Sequence, residues 1–193
     1  MFTPDEIRHA VIGTLALLRG DPEGMRHFDC SVEGFFRSFG VFLLLLAPFV
    51  LGLWAQFAMM ELRADGVDVG WFLAIKLGAL ACAWLAYPLI VAGLAPTLGM
   101  SATYGGFVVT RNWASLVVAV PLSLIDVAYL LGLVERGTAG GLGLFAFGFN
   151  IYIGIQITRL AARTPMGTTI GLVILETALN LLISLLSDKL LGI

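Results

Sequence analysis

Charge is scarce in this chain, and so are the residues on which most enzyme chemistry depends. Only 12% of the 193 residues are Asp, Glu, Lys or Arg, 59% are hydrophobic, and mean hydropathy is +0.97. Soluble globular domains carry about 25% charged residues, so this composition excludes one and indicates an integral membrane protein. The basic residues stand singly and the net charge is −2, which sets aside a nucleic-acid groove and a polybasic lipid-binding tail. There are two cysteines, Cys30 before the first apolar span and Cys82 inside the second. They form no disulfide framework and read as small apolar fillers. The two histidines, His9 and His27, both precede the first span. No spanning helix can then hold an HExxH zinc pair or a serine–histidine dyad, and the expectation is of no metal, no cofactor and no enzymatic activity. Pro4, Asp5 and Glu6 stand where a signal peptide would carry basic residues, so no cleaved leader is expected.

What is present is length and apolarity. Five stretches meet the requirement of about 20 residues for a helix across hydrocarbon: Ser38–Met60, Val69–Ala95, Trp113–Val134, Gly141–Leu160 and Thr168–Leu186. Polar or Gly-rich joints separate them, leaving no room for a soluble domain. The expected fold is all-α, a polytopic membrane bundle of five helices over residues 38–193, preceded by an amphipathic surface segment over residues 1–37. In that segment Thr3-Pro4-Asp5-Glu6 reads as a capping box with proline at the first helical position. Ile7, Ala10, Val11, Leu15 and Leu18 recur at helical spacing, and Gly20-Asp21-Pro22 supplies the stop. The stripe Ile7, Val11, Leu15, Leu18 suits either the headgroup boundary or the protein's own loops, since both bury the same face. A short turn should begin at Asp21-Pro22-Glu23, and Ser31 should cap the helix entering the membrane. Phe28, Phe35, Phe36 and Phe39 read as interfacial, lipid-facing aromatics, and Pro48, Pro88 and Pro121 as kinks within the first three spans.

The positive-inside rule assigns Arg8, Arg19, Arg26, Arg37, Arg111, Arg159 and Arg163 to the cytoplasm and Arg63, Lys76, Arg136 and Lys189 to the other side. That places the N-terminus inside and the C-terminus outside.

Polar residues within the spans are the features most in need of explanation, because a charge at bilayer depth costs about 2.5–3.5 kcal/mol on insertion scales. The proposed cluster is Lys76, Asp126, Asn150, Glu176 and Asn180. On the fifth span Glu176, Asn180, Ser184 and Ser187 share a face, as residues three or four apart do. Ser115, Ala119, Asp126 and Tyr129 share one on the third. Asn150 stands with Gly143, Gly154 and Thr158 on the fourth, with Tyr152, Gln156 and Arg159 on a second, inward-leading face. Lys76 is the expected partner of Asp126 or Glu176. Two carboxylates and one ammonium leave an acid requiring a proton, a cation or another partner. A proton- or cation-responsive pathway would use it; structural pairing, Asp126 with Lys76 and Glu176 with Asn150, would consume it. Gly167 and Gly171 form GxxxG, read as an intramolecular contact or a dimer seam. Residues 96–112 read as a connector ending at an interfacial Trp113.

The segment Leu18-Arg19-Gly20-Asp21-Pro22 followed by five compact spans resembles the bacterial members of the Yip1-domain family. The resemblance implies a membrane-organising or partner-binding protein rather than an enzyme, with the lipid bilayer and another membrane protein or a second copy as partners, and it carries over no functional residue. The expected function is accordingly a non-enzymatic inner-membrane module; the alternative is a small proton- or cation-coupled transporter using the buried acids.

Overall fold

The computed structural model describes residues 2–61 and 66–193; Arg63 lies outside them. Among the described residues every regular element is helical. Helix α1 (Pro4–Leu18), a 3-10 helix (Pro22–His27) and helix α2 (Val32–Ser38) precede α3 (Val41–Met59), α4 (Val69–Leu94), α5 (Tyr104–Leu130), α6 (Arg136–Ala161) and α7 (Met166–Leu191). With α2 leading into α3, these provide five rods long and apolar enough to cross a membrane. Pro48, Pro88 and Pro121 lie within α3, α4 and α5.

The helix starts follow from local chemistry. The first N–H groups of a helix have no internal acceptor, and short polar side chains supply one. Thr3 accepts from the Glu6 amide at 3.1 Å, Asp21 from Glu23 at 2.9 Å, Ser31 from Gly34 at 3.0 Å and Asp68 from Trp71 at 2.8 Å. Only half of the Thr3–Glu6 capping box forms, because Arg37 Nε donates to the Glu6 carboxylate at 3.0 Å. Arg37 also reaches Asp29 at 2.9 Å and Glu33 at 3.5 Å. One guanidinium thereby ties α1, the link before α2, and α2 itself.

These N-terminal elements form a cap over the first turns of α5 and the last turns of α6. Helix α1 docks by its small face: Ala10, Gly13, Thr14 and Leu17 are buried. Ile7 and Leu18 join the same core, Val11 is half-buried, and Leu15 is 40% exposed. The buried face is thus rotated roughly 100° from the Ile7, Val11, Leu15, Leu18 stripe, about one residue's turn on a helix. The reason is steric. Gly13 and Gly24 bring α1 and the 3-10 helix backbone to backbone, and a Cβ on Gly24 would stand 2.6 Å from the Gly13 carbonyl oxygen. Small residues permit an approach that the larger stripe would block.

The same cap explains where α5 begins. The stretch read as a connector is helical from Tyr104, and Phe107, Val108, Val109, Thr110, Asn112, Trp113 and Ala114 are all buried. Two of its polar side chains donate inside the protein. Asn112 Nδ2 donates to Ser38 Oγ at 3.0 Å and Thr110 to the Gly106 carbonyl at 2.8 Å. Trp113 is 3% exposed and packs edge-on against Phe2, ring centres 5.2 Å apart, so it is a core residue rather than an interfacial one. The phenylalanine cluster divides likewise: Phe28 is buried, Phe35 packs on Tyr104, and Phe36 is exposed. Cys30 and Cys82 are both exposed rather than fillers of the interior.

The five long helices close into a ring. Helix α3 packs on α4, α4 on α7, α7 on α6, α6 on α5, and α5 back on α3. At the end away from the cap, Leu53, Phe57 and Phe72 form a second small core with Leu191. A Cβ on Gly167 or Gly171 would meet no atom within 4 Å, so the GxxxG motif makes no close contact among the described residues.

Two outcomes test the cap. Gly24→Ala should destabilise it by about 1–3 kcal/mol through overpacking against backbone, read as faster proteolytic cleavage between residues 19 and 31 with the ring intact. The Asp29 carboxyl is held below its ordinary value of 3.8, chiefly by hydrogen bonds from Ser31, with Arg37 adding to the effect. A depressed acid stabilises the fold above its unfolded value and loses that contribution as pH falls through the folded one. Protease protection of the cap should therefore hold above pH 3.8 and fall progressively below it, and Asp29→Asn should flatten that dependence.

Candidate functional site: a polar cavity inside the helical ring

A cavity of about 370 Å³ occupies the centre of the ring. Its apolar wall includes Phe49 and Leu53 of α3, Leu80 of α4 and Leu122 of α5. Helix α7 gives more of the polar lining than any other helix, through Glu176, Asn180, Ser184 and Ser187. The three- and four-residue spacing read in the sequence therefore describes the cavity edge of one helix, about 17 Å long at 1.5 Å per residue. Gln56, Ser115 and Asn150 add polar groups from α3, α5 and α6.

Each end of this edge is held by an ion pair. Near the cap, Arg111 Nε donates to Glu176 Oε1 at 2.8 Å, and Nη2 donates to the same oxygen. The two side chains are 14% and 22% exposed. The guanidinium also lies over the Tyr87 ring, 4.8 Å from its centre, and near Trp84, at 6.0 Å. Such stacking suits a planar, weakly hydrated cation. At the other end Lys76, 5% exposed, donates to Ser187 Oγ at 3.1 Å and pairs with the Asp188 carboxylate. The ring is thus braced from α5 to α7 and from α4 to α7.

These pairs revise the expected pairing. Lys76 binds Asp188, not Asp126 or Glu176, and Glu176 binds Arg111, not Lys76 or Asn150. Arg111 escapes sequence reading because it stands among polar residues, Thr110 and Asn112, that read as a connector but belong to α5. Asp188 escaped because it lies beyond the expected end of the fifth span, whereas α7 continues to Leu191. With both acids supplied with cations, the charges at the cavity balance, and the surplus acid of the sequence argument is not Glu176. Asp126 belongs to neither pair. It borders no part of the cavity and lies against α3, where a Cβ on Gly52 would stand 3.1 Å from Asp126 Oδ2. Lys76, Asn150, Glu176 and Asn180 do border the cavity.

The fourth-span faces also sort differently. Tyr152 donates to the Leu18 carbonyl at 2.7 Å, and Gln156 donates to the Tyr152 hydroxyl at 3.1 Å. This face leads to the cap, not inward. Asn150, by contrast, stands between the central cavity and a groove of about 210 Å³ between α6 and α7. The groove and the cavity share Asn150, Glu176 and Asn180, and the groove's edge includes the exposed Phe147 and Leu181. Gly154 borders it, where a Cβ would meet Val173 at 3.6 Å, an ordinary contact.

Chemically the cavity offers a mixed edge: the amides Gln56, Asn150 and Asn180, the hydroxyls Ser115, Ser184 and Ser187, and two ion pairs whose charges are matched. Within its walls three sealed atoms, Trp84 Nε1, Arg111 Nη1 and Asn112 Oδ1, have no hydrogen-bond partner among the described residues.

Removing one partner of this largely buried pair leaves the other without its counter-charge and exposes much of its desolvation cost. Arg111→Ala should destabilise the protein by about 3 kcal/mol, Glu176→Gln by less, and the double variant by less than the sum of the two. A double-mutant cycle in thermal or denaturant unfolding measures this; strict additivity would mean that the pair does not couple α5 to α7.

No protein-family model, curated protein or solved structure matches this chain, so the reading of the cavity rests on its own chemistry.

Proposed function

We propose that this protein is a non-enzymatic, multi-pass membrane module that works by binding lipid or a membrane partner, in keeping with the Yip1-like resemblance. The observation that carries this reading is the placement of the cap. The two ends of α1 meet Trp113 and Tyr152, through Phe2 and Leu18. Each of those residues lies nine positions in from the capped end of its helix. Beyond them α5 and α6 run on for about 25 Å, close to the hydrocarbon thickness of about 30 Å. Helix α1 would then lie flat at the headgroup level, with Ile12 and Leu15 exposed at 39% and 40% and the exposed Arg8 and Arg19 beside them. Exposed aliphatic residues flanked by arginines match an anionic lipid surface.

The same placement supports a bacterial inner-membrane orientation with the cap in the cytoplasm and the C-terminus outside. Arg8, Arg19, Arg26, Arg37, Arg111, Arg159 and Arg163 all belong to the cap or to the capped end of the ring. Lys76, Arg136 and Lys189 belong to the other end.

A probe attached at Ile12→Cys or Leu15→Cys, in a background with Cys30 and Cys82 replaced by Ser, should be quenched by nitroxide-labelled lipid in nanodiscs, whereas one at Asp5→Cys should not. Equal quenching at all three sites, or none, would remove α1 from the membrane surface.

The transporter alternative keeps one supporting observation, the unbroken polar lining from Glu176 to Ser187. Against it, Glu176 accepts two N–H donors from Arg111 and so already has a cation as its partner. Proton and sodium flux into proteoliposomes decides between them. The binding reading expects none; flux abolished by Glu176→Gln but kept in Asp126→Asn would establish transport through the cavity.

A further inference from the structure

We propose that the central cavity takes the uncharged, polyhydroxylated headgroup of a glycosyl lipid, whose alkyl chain lies in the groove between α6 and α7. The inference deepens the lipid-binding reading by naming the lipid class, and so rests on it, but it does not depend on where α1 lies.

Three observations lead there. The first is the kind of polar group that the cavity presents. Asn150 and Asn180 are exposed, Gln56 is half-buried, and all three border the cavity. The hydrogen bonds that brace the ring run from Lys76 to Ser187 and Asp188 and from Arg111 to Glu176, and use none of these amides. A carboxamide both donates and accepts, as a hydroxyl does. Three carboxamides, from α3, α6 and α7, around one space therefore match a ligand with several hydroxyls.

The second is charge. Lys76 is paired with Asp188 and Arg111 with Glu176. A charged headgroup would lose its hydration in a weakly screened interior and find no free counter-charge there. A sugar exchanges its hydrogen bonds with water for hydrogen bonds to the amides.

The third is shape. The cavity of about 370 Å³ is within the range of small-ligand sites, and its wall of Phe49, Leu53, Leu80 and Trp84 is mostly apolar, as in such sites. The α6–α7 groove joins it through Asn150, Glu176 and Asn180. Beyond the amides the groove is lined by Phe147, Ile151 and Leu181, and Phe147 and Leu181 are exposed on the flank of two spanning helices. A polar chamber continuous with an apolar slot open to hydrocarbon has the outline of a lipid with a large uncharged head. A soluble sugar would leave the slot unused.

Photolabelling shows where the chain lies. In the full-length protein in nanodiscs of dioleoyl phosphatidylcholine, a dodecyl glucoside carrying a diazirine at mid-chain should insert on illumination into residues 147–151 of α6 and 173–181 of α7, read by peptide mass spectrometry. Unlabelled dodecyl glucoside should suppress that labelling. Dodecyl phosphate, dodecylphosphocholine and a poly(ethylene glycol) ether of dodecanol, which add charge or lack the sugar's donors, should each be needed at about tenfold higher concentration. Free glucose should not compete. Asn150→Leu and Asn180→Leu replace an amide by an apolar group of similar size, and each should weaken the glucoside about tenfold. Asp126→Asn, outside the cavity, should leave its affinity unchanged.

A groove that every dodecyl amphiphile empties equally would overturn the proposal and leave the lipid-binding reading standing. Preference for dodecyl phosphate would overturn it by making the ligand anionic, and competition by glucose equal to that of the glucoside would do so by making the ligand a soluble sugar. No labelling of either segment at saturating probe would assign the cavity to water alone. If neither asparagine variant folds, the comparison of headgroups on the unmodified chain decides by itself.

Discussion

The ring depends on the contact between Arg111 and Glu176. An all-helical bundle in apolar surroundings gains little from burying one apolar face against another, because lipid is as good a solvent for leucine as the protein interior. What holds helices in a particular arrangement is then close packing and the need to satisfy polar groups. Helices α5 and α7 face each other across the cavity rather than along a packed seam, and the Arg111–Glu176 pair spans that gap. Lys76 with Ser187 and Asp188 repeats the device at the opposite end. Without those two braces, a cavity of this size would be a void for the helices to collapse into.

Bracing has a consequence for chemistry. A carboxylate free to titrate could have served a coupled transporter, and the sequence contains enough buried acids to suggest one. Once Glu176 receives two N–H donors from a single guanidinium, it ties α5 to α7 and the group becomes part of the scaffold. Around the cavity that leaves amides and hydroxyls, Gln56, Ser115, Asn150, Asn180 and Ser184, as the polar groups that no ion pair occupies.

How much of this was legible in the sequence varies with the kind of information each feature needs. Helix starts were readable at Thr3, Asp21 and Ser31 because a cap is settled within four residues. The polar edge of α7 was readable because spacing on one helix fixes a face. The limits of α5 and α7 were not. Hydropathy treats Thr110, Arg111, Asn112 and Asp188 as signs of solvent, yet each finds its partner elsewhere in the chain or within its own turn. Partner choice failed for the same reason: Lys76 was matched to acids by depth along assumed spans, and the true span of α7 brought Asp188 into reach.

The cap shows a further limit. Amphipathic spacing in α1 correctly marks an amphipathic helix but not which side docks, since the largest apolar residues were assumed to be the buried ones. Close approach of Gly13 to Gly24 selects the small face instead, and the larger Ile12 and Leu15 turn outward. An exposed pair of large aliphatic residues would be a liability in water. Beside Arg8 and Arg19, at the level of Trp113 and Tyr152, it becomes a reason for the helix to lie where it does. The small residues dock the cap onto the ring, and the large ones turn outward. Under the proposed function the two readings of that stripe, lipid or protein, are not rivals, because different faces of the same helix would serve each.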